Sequence, residues 1–530
     1  MTISASDLRK MSDEVPCDTV GRRILCAGER GTVRFVGYVP PASGLWLGVE
    51  WDNAERGKHD GSHEGIRYFN SSHPTGSSFI RPKKASFGVD FLTAVKKRYE
   101  IQEASEVTEE MKISNTSVEL VNGAERQLYN LTEVSLRGYE VSSGGKVNDI
   151  QQTVPNVILL DLSENLLASW RNVADITCQL EKLKVLIISQ NKLAIPENPS
   201  SLAQAFANLR EMALSKASIT WSNVLQCAPM WPVLEELYLS DNEICTLQKP
   251  INVLQSLKLL DLGNNRLSDG GDLLEIAFLP RLEKLILSNN QLSSVCFSDA
   301  QPGCKSAMFS SMKFLAVDKN HISQWSFVNE LEKLQSLQQL SCLYNPLMTS
   351  EKSTETIRQL IIAKIGQLRF LNKSEVLPDE RKGAELDYRK LFGKEWLEAG
   401  GHWDEDKNHP NESFIAQHPR FQLLIKKFGP PEEGELKQQQ PFALKNQLLT
   451  LTFRFPGRPN APIEKKLPNS MTVQKVKGLL SRLLKVPATE LSLTYTRAKI
   501  EDKEVDLDND LRSLKFFCIE DSDTVLVRWS

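Results

Sequence analysis

The sequence predicts a multidomain protein: an α/β solenoid of stacked repeats in the middle, a small β-barrel before it and a small α+β domain after it. Three observations carry this. One leucine and asparagine frame recurs through residues 127–348, glycines crowd residues 20–84, and clean strand alternation returns after a polar stretch that ends near residue 442. The length of 530 residues suits about three domains.

The central frame is L-x-x-L-x-L-x-x-N-x-L. It is clearest at Leu282, Leu285, Leu287, Asn290 and Leu292, and it fits again at Leu257 to Leu267 and Leu234 to Ile244. Earlier copies run Val157 to Leu167 and Leu183 to Leu193, and later ones Met312 to Ile322 and Leu337 to Leu347. One copy is degenerate, with Ala217 where Asn should stand, and a weak first copy has Leu131, Val134, Leu136 and Tyr139. This spacing is that of leucine-rich repeats. The x-L-x-L segment is a short strand whose leucines face the core, and the Asn side chain can bond backbone groups left unpaired where each coil turns. No coil buries its apolar face alone, so neighbours must stack. After the last copy, an amphipathic helix and a strand between Glu351 and Leu371 are expected to begin a C-terminal cap over residues 349–395.

Strand positions between the leucines face the concave side. Ile187, Tyr238, Ile286 and Phe314 stand there beside Asp161, Glu211 and Asp261. A column of exposed apolar residues points to a protein partner. Single exposed apolar residues are also ordinary, so both readings stay open.

The glycine-rich segment, residues 18–90, has short β-like runs such as Gly31 to Val36 and Trp46 to Trp51. That texture reads as a tightly turned barrel. It lacks G-x-G-x-x-G after a strand, which leaves a dinucleotide site unsupported. The run Gly44-Leu45-Trp46-Leu47-Gly48-Val49-Glu50, the pentad Gly57-Lys58-His59-Asp60-Gly61, and Arg67-Tyr68-Phe69 with Gly76 to Phe79 resemble a CAP-Gly domain. The resemblance implies binding of acidic C-terminal tails that end in an aromatic residue, notably that of α-tubulin. It assigns the tail site to Phe35, Trp46, Gly57, Lys58, His59, Asp60, Gly61, Arg67 and Phe79. The chemistry suits such a ligand: from Gly21 to Lys84 ten Arg and Lys face six Asp and Glu. Lys58 and nearby N–H groups can hold a terminal carboxylate, and Phe35, Trp46 and Phe79 can pack a tyrosine ring. The family pentad usually carries Asn where His59 stands; His still donates a hydrogen bond and adds pH sensitivity. His59, His63 and His73 have no fourth ligand at matching spacing, so no metal is expected.

Residues 91–126 read as a connector and residues 396–442 as a polar linker, with one last helix at Phe421 to Phe428. Beyond, residues 443–530 run strand, strand, helix, strand, strand, with a helical face at Val473, Val476, Leu479, Leu480, Leu483 and Leu484. The order resembles ubiquitin, a β-grasp fold. The sequence ends Val527-Arg528-Trp529-Ser530 without Gly-Gly, so a docking domain is expected rather than a conjugated modifier.

The net charge of -3 favours neither nucleic acid nor membrane as a partner. No run reaches about 20 apolar residues, and Met1 to Lys10 lacks a secretory h-region. Nine scattered cysteines without C-x-x-C predict buried free thiols in a reducing cytosol. No nucleophile elbow, P-loop, zinc motif or kinase set is present, so the expectation is a protein with no catalytic residues, no cofactor and no metal.

The three modules in this order resemble the tubulin-folding cofactors. The resemblance implies a cytoplasmic, cytoskeleton-associated chaperone that captures α-tubulin and helps assemble or dissociate the α/β heterodimer. Its implied partners are other tubulin-folding cofactors and the proteasome. The alternative is a microtubule-end adaptor linking tubulin to the ubiquitin system.

Overall fold

The structure, a computed structural model, describes residues 15–16, 18–99, 127–349, 353–432, 436, 448–455, 462–496, 504–517 and 519–529. Cys17, Cys518 and most of the expected connector lie outside the described residues. Two compact units meet in sequence at Pro430 and Pro431.

The first unit opens with β1 (Arg23–Cys26), β2 (Glu29–Val39), β3 (Ala42–Trp51), β4 (Ser62–His63), β5 (Ile66–Arg67) and β6 (Ser77–Ile80). An antiparallel sheet runs β1-β2-β3-β6, while β4 and β5 pair with each other as a hairpin. Alternation sends Leu45, Leu47 and Val49 into a small core with Ile24 and Val33. Barrel closure, expected from the sequence, is not made by these strand pairings, because the β4–β5 hairpin remains a separate sheet.

The stretch read as a connector begins as structure. β7 (Val89–Asp90) pairs in parallel with β9 (Val141–Ser143) of the repeat region. Helix α1 (Phe91–Tyr99) follows, and Phe91, Ala94 and Val95 are fully buried in the repeat core. The Tyr99 hydroxyl accepts from Ser135 N at 3.0 Å. Arg30 reaches Glu164 at 3.2 Å, and Lys192 reaches Asp52, which also holds Arg23. The N-terminal module is thus joined to the first coils by a strand pair, a shared core and ion pairs.

The repeats form one sheet in chain order. Its strands are β8 (Glu133–Ser135), β10 (Leu159–Asp161), β11 (Val185–Ile187), β12 (Glu211–Ala213), β13 (Glu236–Tyr238), β14 (Leu259–Asp261), β15 (Lys284–Ile286), β16 (Phe314–Ala316), β17 (Gln339–Ser341), β18 (Phe370–Leu371) and β19 (Ser374–Glu375). All neighbours are parallel except β18 and β19. Each three-residue strand buries its middle side chain, such as Leu160, Leu186, Leu237 and Leu260. The frame asparagines are buried and linked. Asn265 donates to Leu239 O and Leu262 O at 3.1 and 2.9 Å and accepts from Asn242 N and Ile244 N at 3.0 Å. Asn165, Asn191, Asn242, Asn290, Asn320 and Asn345 repeat the pattern. Short helices return some coils, namely α2 (Asp149–Thr153), α3 (Trp170–Thr177), α4 (Trp221–Cys227) and α5 (Trp325–Glu332). Thr220 and Asn223 cap α4 reciprocally.

The C-terminal end is closed by α6 (Thr354–Lys364), α7 (Pro378–Leu391), α8 (Gly393–Glu398), α9 (Glu412–Gln417) and α10 (Phe421–Phe428). Residues 396–428 are therefore not a linker. Trp396, Phe414, Phe421 and Leu424 are buried in the repeat core. Buried Glu385 on α7 holds Arg420 at 2.8 Å and Lys427 at 2.7 Å, and Lys364 donates to Asn329 Oδ1 at 2.8 Å and Gln417 O at 2.7 Å. These bonds satisfy charges that burial would otherwise penalise. The cysteines also depart from expectation. Cys26, Cys227 and Cys342 are buried, with burial pushing the Cys227 and Cys342 thiols up to about 12, but Cys178, Cys245, Cys296 and Cys304 are exposed.

The second unit contains β20 (Leu448–Arg454), β21 (Ile463–Pro468), α11 (Val473–Leu484), β22 (Ser492–Thr496), β23 (Val505–Asp506) and β24 (Thr524–Arg528). The sheet order is β21-β20-β24-β22-β23, with β20 and β24 parallel at the centre. Thr472 caps α11, which buries Val473, Val476 and Leu480 against Leu451, Phe453 and Val527. Leu483, read as part of that buried face, is instead 45% exposed.

Candidate partner-binding site

Two surfaces gather the residues singled out in the sequence. The first is the outer face of the N-terminal sheet. Because Leu45, Leu47 and Val49 point inward, Trp46 and Gly48 point outward. Gly48 lies opposite Phe35 on one side and Phe79 on the other. The Phe35 and Phe79 ring centroids are 6.2 Å apart, and Tyr68 stands 5.2 and 5.4 Å from them. Phe69 lies 5.8 Å from Phe79, beneath the group. A side chain at position 48 would strike this floor, since a Cβ there would sit 2.3 Å from Phe69 Cε1.

The pentad runs along the edge of this aromatic group. Lys58 N and His59 N donate to Ser77 O, and Ser77 N donates back to His59 O. Gly57 is required by space, because a Cβ there would lie 2.0 Å from Thr75 O. His59 stacks on Phe79 at 4.8 Å with 29° between the rings. Its Nδ1 accepts from Gly61 N at 3.0 Å, which leaves the proton of the neutral ring on Nε2. Burial lowers the His59 pKa, opposed by Asp60 and assisted by His63, so the ring is neutral near pH 7. Asp60 accepts from Ser62 N and from Arg67 at 2.7 Å, which holds its carboxyl below the usual range. Arg67 therefore clamps the pentad, while Lys58 is exposed and forms no ion pair among the described residues.

Trp46 departs from expectation. It sits opposite Gly37, and its ring is covered by the Arg81 guanidinium at 3.7 Å rather than joined to Phe35 and Phe79. Arg81 also donates to Leu45 O. Tyr68 and Arg81 were not chosen from the sequence as site residues. Arg81 had a signal, since it follows Phe79 by two residues and so shares its face. Tyr68 lay within the motif Arg67-Tyr68-Phe69, but the facing of a residue just after a hairpin strand is set by the fold. His59 and His63 both contact Phe79, while His73 bonds Thr75. Among the described residues no group of three or more His, Cys, Asp or Glu is placed to hold a metal.

The second surface is the outward face of the repeat sheet. Register places Asp161, Ile187, Tyr238, Asp261 and Ile286 in one column and Glu211, Glu236 and Phe314 in the neighbouring one. Ile187, Tyr238, Ile286 and Phe314 are all half-buried. The Tyr238 hydroxyl donates to Glu236 at 2.7 Å. Burial, reinforced by Glu236, raises the Glu211 carboxyl, and burial with Asp241 raises Asp261, where a bond from Gly263 N pulls the other way. Tyr238 is raised well above the ordinary tyrosine value by burial and by its bond to Glu236. No helix among the described residues is long and apolar enough to cross a membrane.

Comparison with known proteins agrees with this layout. Residues 20–85 match the family model of the CAP-Gly domain. The chain is 56% identical over 518 residues to tubulin-specific chaperone E of Danio rerio, covering 97% of this chain and 99% of that protein. It is 53% identical over 528 residues to tubulin-specific chaperone E of Homo sapiens, covering 98% and 100%. A solution structure of the C-terminal ubiquitin-like domain of the mouse tubulin-specific chaperone is 55% identical, covers 16% of this chain and 88% of that one, and has a TM-score of 0.16.

Proposed function

We propose that this chain, which belongs to the tubulin-specific chaperone E family, is a non-catalytic tubulin-folding chaperone of the cytoplasm that holds α-tubulin while the α/β heterodimer is assembled or dissociated. The N-terminal module takes the acidic α-tubulin tail, and the repeat sheet contacts the tubulin body. The C-terminal unit, a β-grasp domain in this reading, meets other tubulin-folding cofactors or the proteasome. The observation that carries the tail site is the pairing of an aromatic face with an exposed cation. Phe35, Tyr68 and Phe79 offer ring edges to a terminal aromatic side chain, with Lys58 and the His59 Nε2 donor beside them. Gly57, Gly61, Asp60 and Arg67 hold the pentad in place. Trp46 and Arg81 extend the same face. Energy for handling the heterodimer would come from binding its states unequally.

The test uses a labelled peptide of glutamates ending in tyrosine. Lys58→Ala should weaken its binding about tenfold, worth ~1.4 kcal/mol, while the protein remains in a soluble complex with a tubulin subunit. Unchanged peptide affinity refutes the tail site. Pelleting of the whole chain with polymerised tubulin, without a soluble complex, would favour an adaptor at microtubule ends.

A further inference from the structure

We propose that the outward face of strands β12 to β14 docks a basic polypeptide surface, so the repeat sheet recognises the charge opposite to that taken by the N-terminal module. The identity of the partner rests on the tubulin-chaperone reading; the chemistry of the contact is the new element.

The outward positions carry Glu133, Asp161, Glu211, Glu236 and Asp261. None of these carboxylates forms an ion pair among the described residues. Carboxylates at the edges of the same sheet do. Glu235 takes Arg210 and Lys258, Glu283 takes Lys313 at 3.0 Å, and Glu164 takes Arg30 and Arg137. The outward carboxylates, without ion pairs among the described residues, contrast with these pairs. The first outward cation is Lys284, on β15. Half-buried carboxylates near one another repel and resist desolvation, which is the direction in which Glu211 and Asp261 are shifted. A cationic surface closing over them cancels the repulsion and compensates the burial.

The same columns hold Ile187, Tyr238 and Ile286, so the occupant brings apolar side chains beside its Lys or Arg. An apolar centre with complementary charge is what protein interfaces use. Residues 101–126 of this chain are a poor occupant: they carry six Glu against Lys112 and Arg126, the same sign as the face.

The experiment uses the full chain and tubulin whose acidic C-terminal tails have been removed by limited proteolysis. Wild type should bind it, with affinity falling at least about tenfold between about 0.05 and about 0.3 M salt. The triple variant Glu211→Gln, Glu236→Gln, Asp261→Asn should bind at least tenfold more weakly at the lower salt and lose most of the salt dependence. Its affinity for the glutamate–tyrosine peptide and its urea midpoint should be retained, which reports an intact fold. A photo-cross-linking residue at position 187 should label a Lys- or Arg-bearing segment of tubulin. Unchanged affinity and salt slope in the triple variant overturn the proposal, as do adducts to an acidic segment or to a second copy of this chain. Binding of intact but not tail-less tubulin also overturns it and leaves the tail reading standing. Failure of the wild type to bind intact tubulin refutes the chaperone reading itself.

Discussion

Replacing Asn265 with Ala tests whether the buried asparagine ladder holds the coils together. The side chain bonds three carbonyls, Leu239 O, Leu262 O and Gly263 O, and takes the N–H groups of Asn242 and Ile244. Asn265 is 7% exposed, so water cannot fully replace it. Orphaning a buried donor costs about 1–3 kcal/mol. Two donors give about 2–6 kcal/mol, with a smaller addition from carbonyls that keep other partners. The adjacent Asn264 is exposed and bonds Asp241 and Asn289 at the surface, but its φ of 53° is left-handed, so Asn264→Ala should cost about 1 kcal/mol, through backbone strain and without orphaning a buried group. Hydrogen exchange read by mass spectrometry localises the effect. The amides of Asn242 and Ile244 should lose protection by two or more orders of magnitude in Asn265→Ala, with those near Asn345 little changed, because each coil depends mainly on its neighbours. Protection at Asn242 and Ile244 equal to wild type, with an unchanged urea midpoint, would refute the ladder as a source of stability.

Two further outcomes are expected. Gly48→Ala places a methyl against Phe69 and should destabilise the N-terminal module by about 1–3 kcal/mol and weaken binding of the glutamate–tyrosine peptide, read by fluorescence anisotropy. The C-terminal cap should be acid-sensitive through His418, whose buried ring contacts the Tyr388 hydroxyl and whose pKa burial lowers to about 3. Since the folded value lies below the unfolded value of about 6.5, this stability is complete above pH 6.5 and declines as pH falls toward 3, at up to about 1.4 kcal/mol per pH unit. His418→Gln should flatten that slope in urea titrations from about pH 7 to about pH 5, and an unaltered slope would exclude His418 as the cause.

The repeats were legible because their leucines recur at fixed spacing over many coils, and the asparagines mark every turn except those at Tyr139 and Ala217. At Ala217, between Asn191 and Asn242, the ladder is interrupted. The cap was misread for a physical reason. Helices α8 and α9 have only six residues each, too few for a periodic signal, and a polar segment containing Gly400 and Gly401 separates them, so the helix expected at Phe421 to Phe428 stood alone in a polar stretch. Trp396, Phe414 and Phe421 are buried through tertiary contacts that composition does not reveal. The tail site was legible as a set of residues but less so as an arrangement. Register, with its bulge between Val33 and Phe35, decided that Phe35 faces Phe79 and that Trp46 faces Gly37. The bond from Arg30 to Glu164 joins residues 134 positions apart, and nothing in local sequence announces it.

Helix α1 bears on how the protein can be dissected genetically. The residues that seal the first coil belong to the chain just after the N-terminal module, and β7 beside them is a strand of a shared sheet. A truncation that starts at residue 127 would leave an apolar socket where Phe91 and Val95 had been. Lost tubulin binding in such a fragment would report a damaged repeat core as readily as a missing tail site. Point substitutions on the outer sheet face, or a cut before residue 88, keep the keystone and separate the two causes.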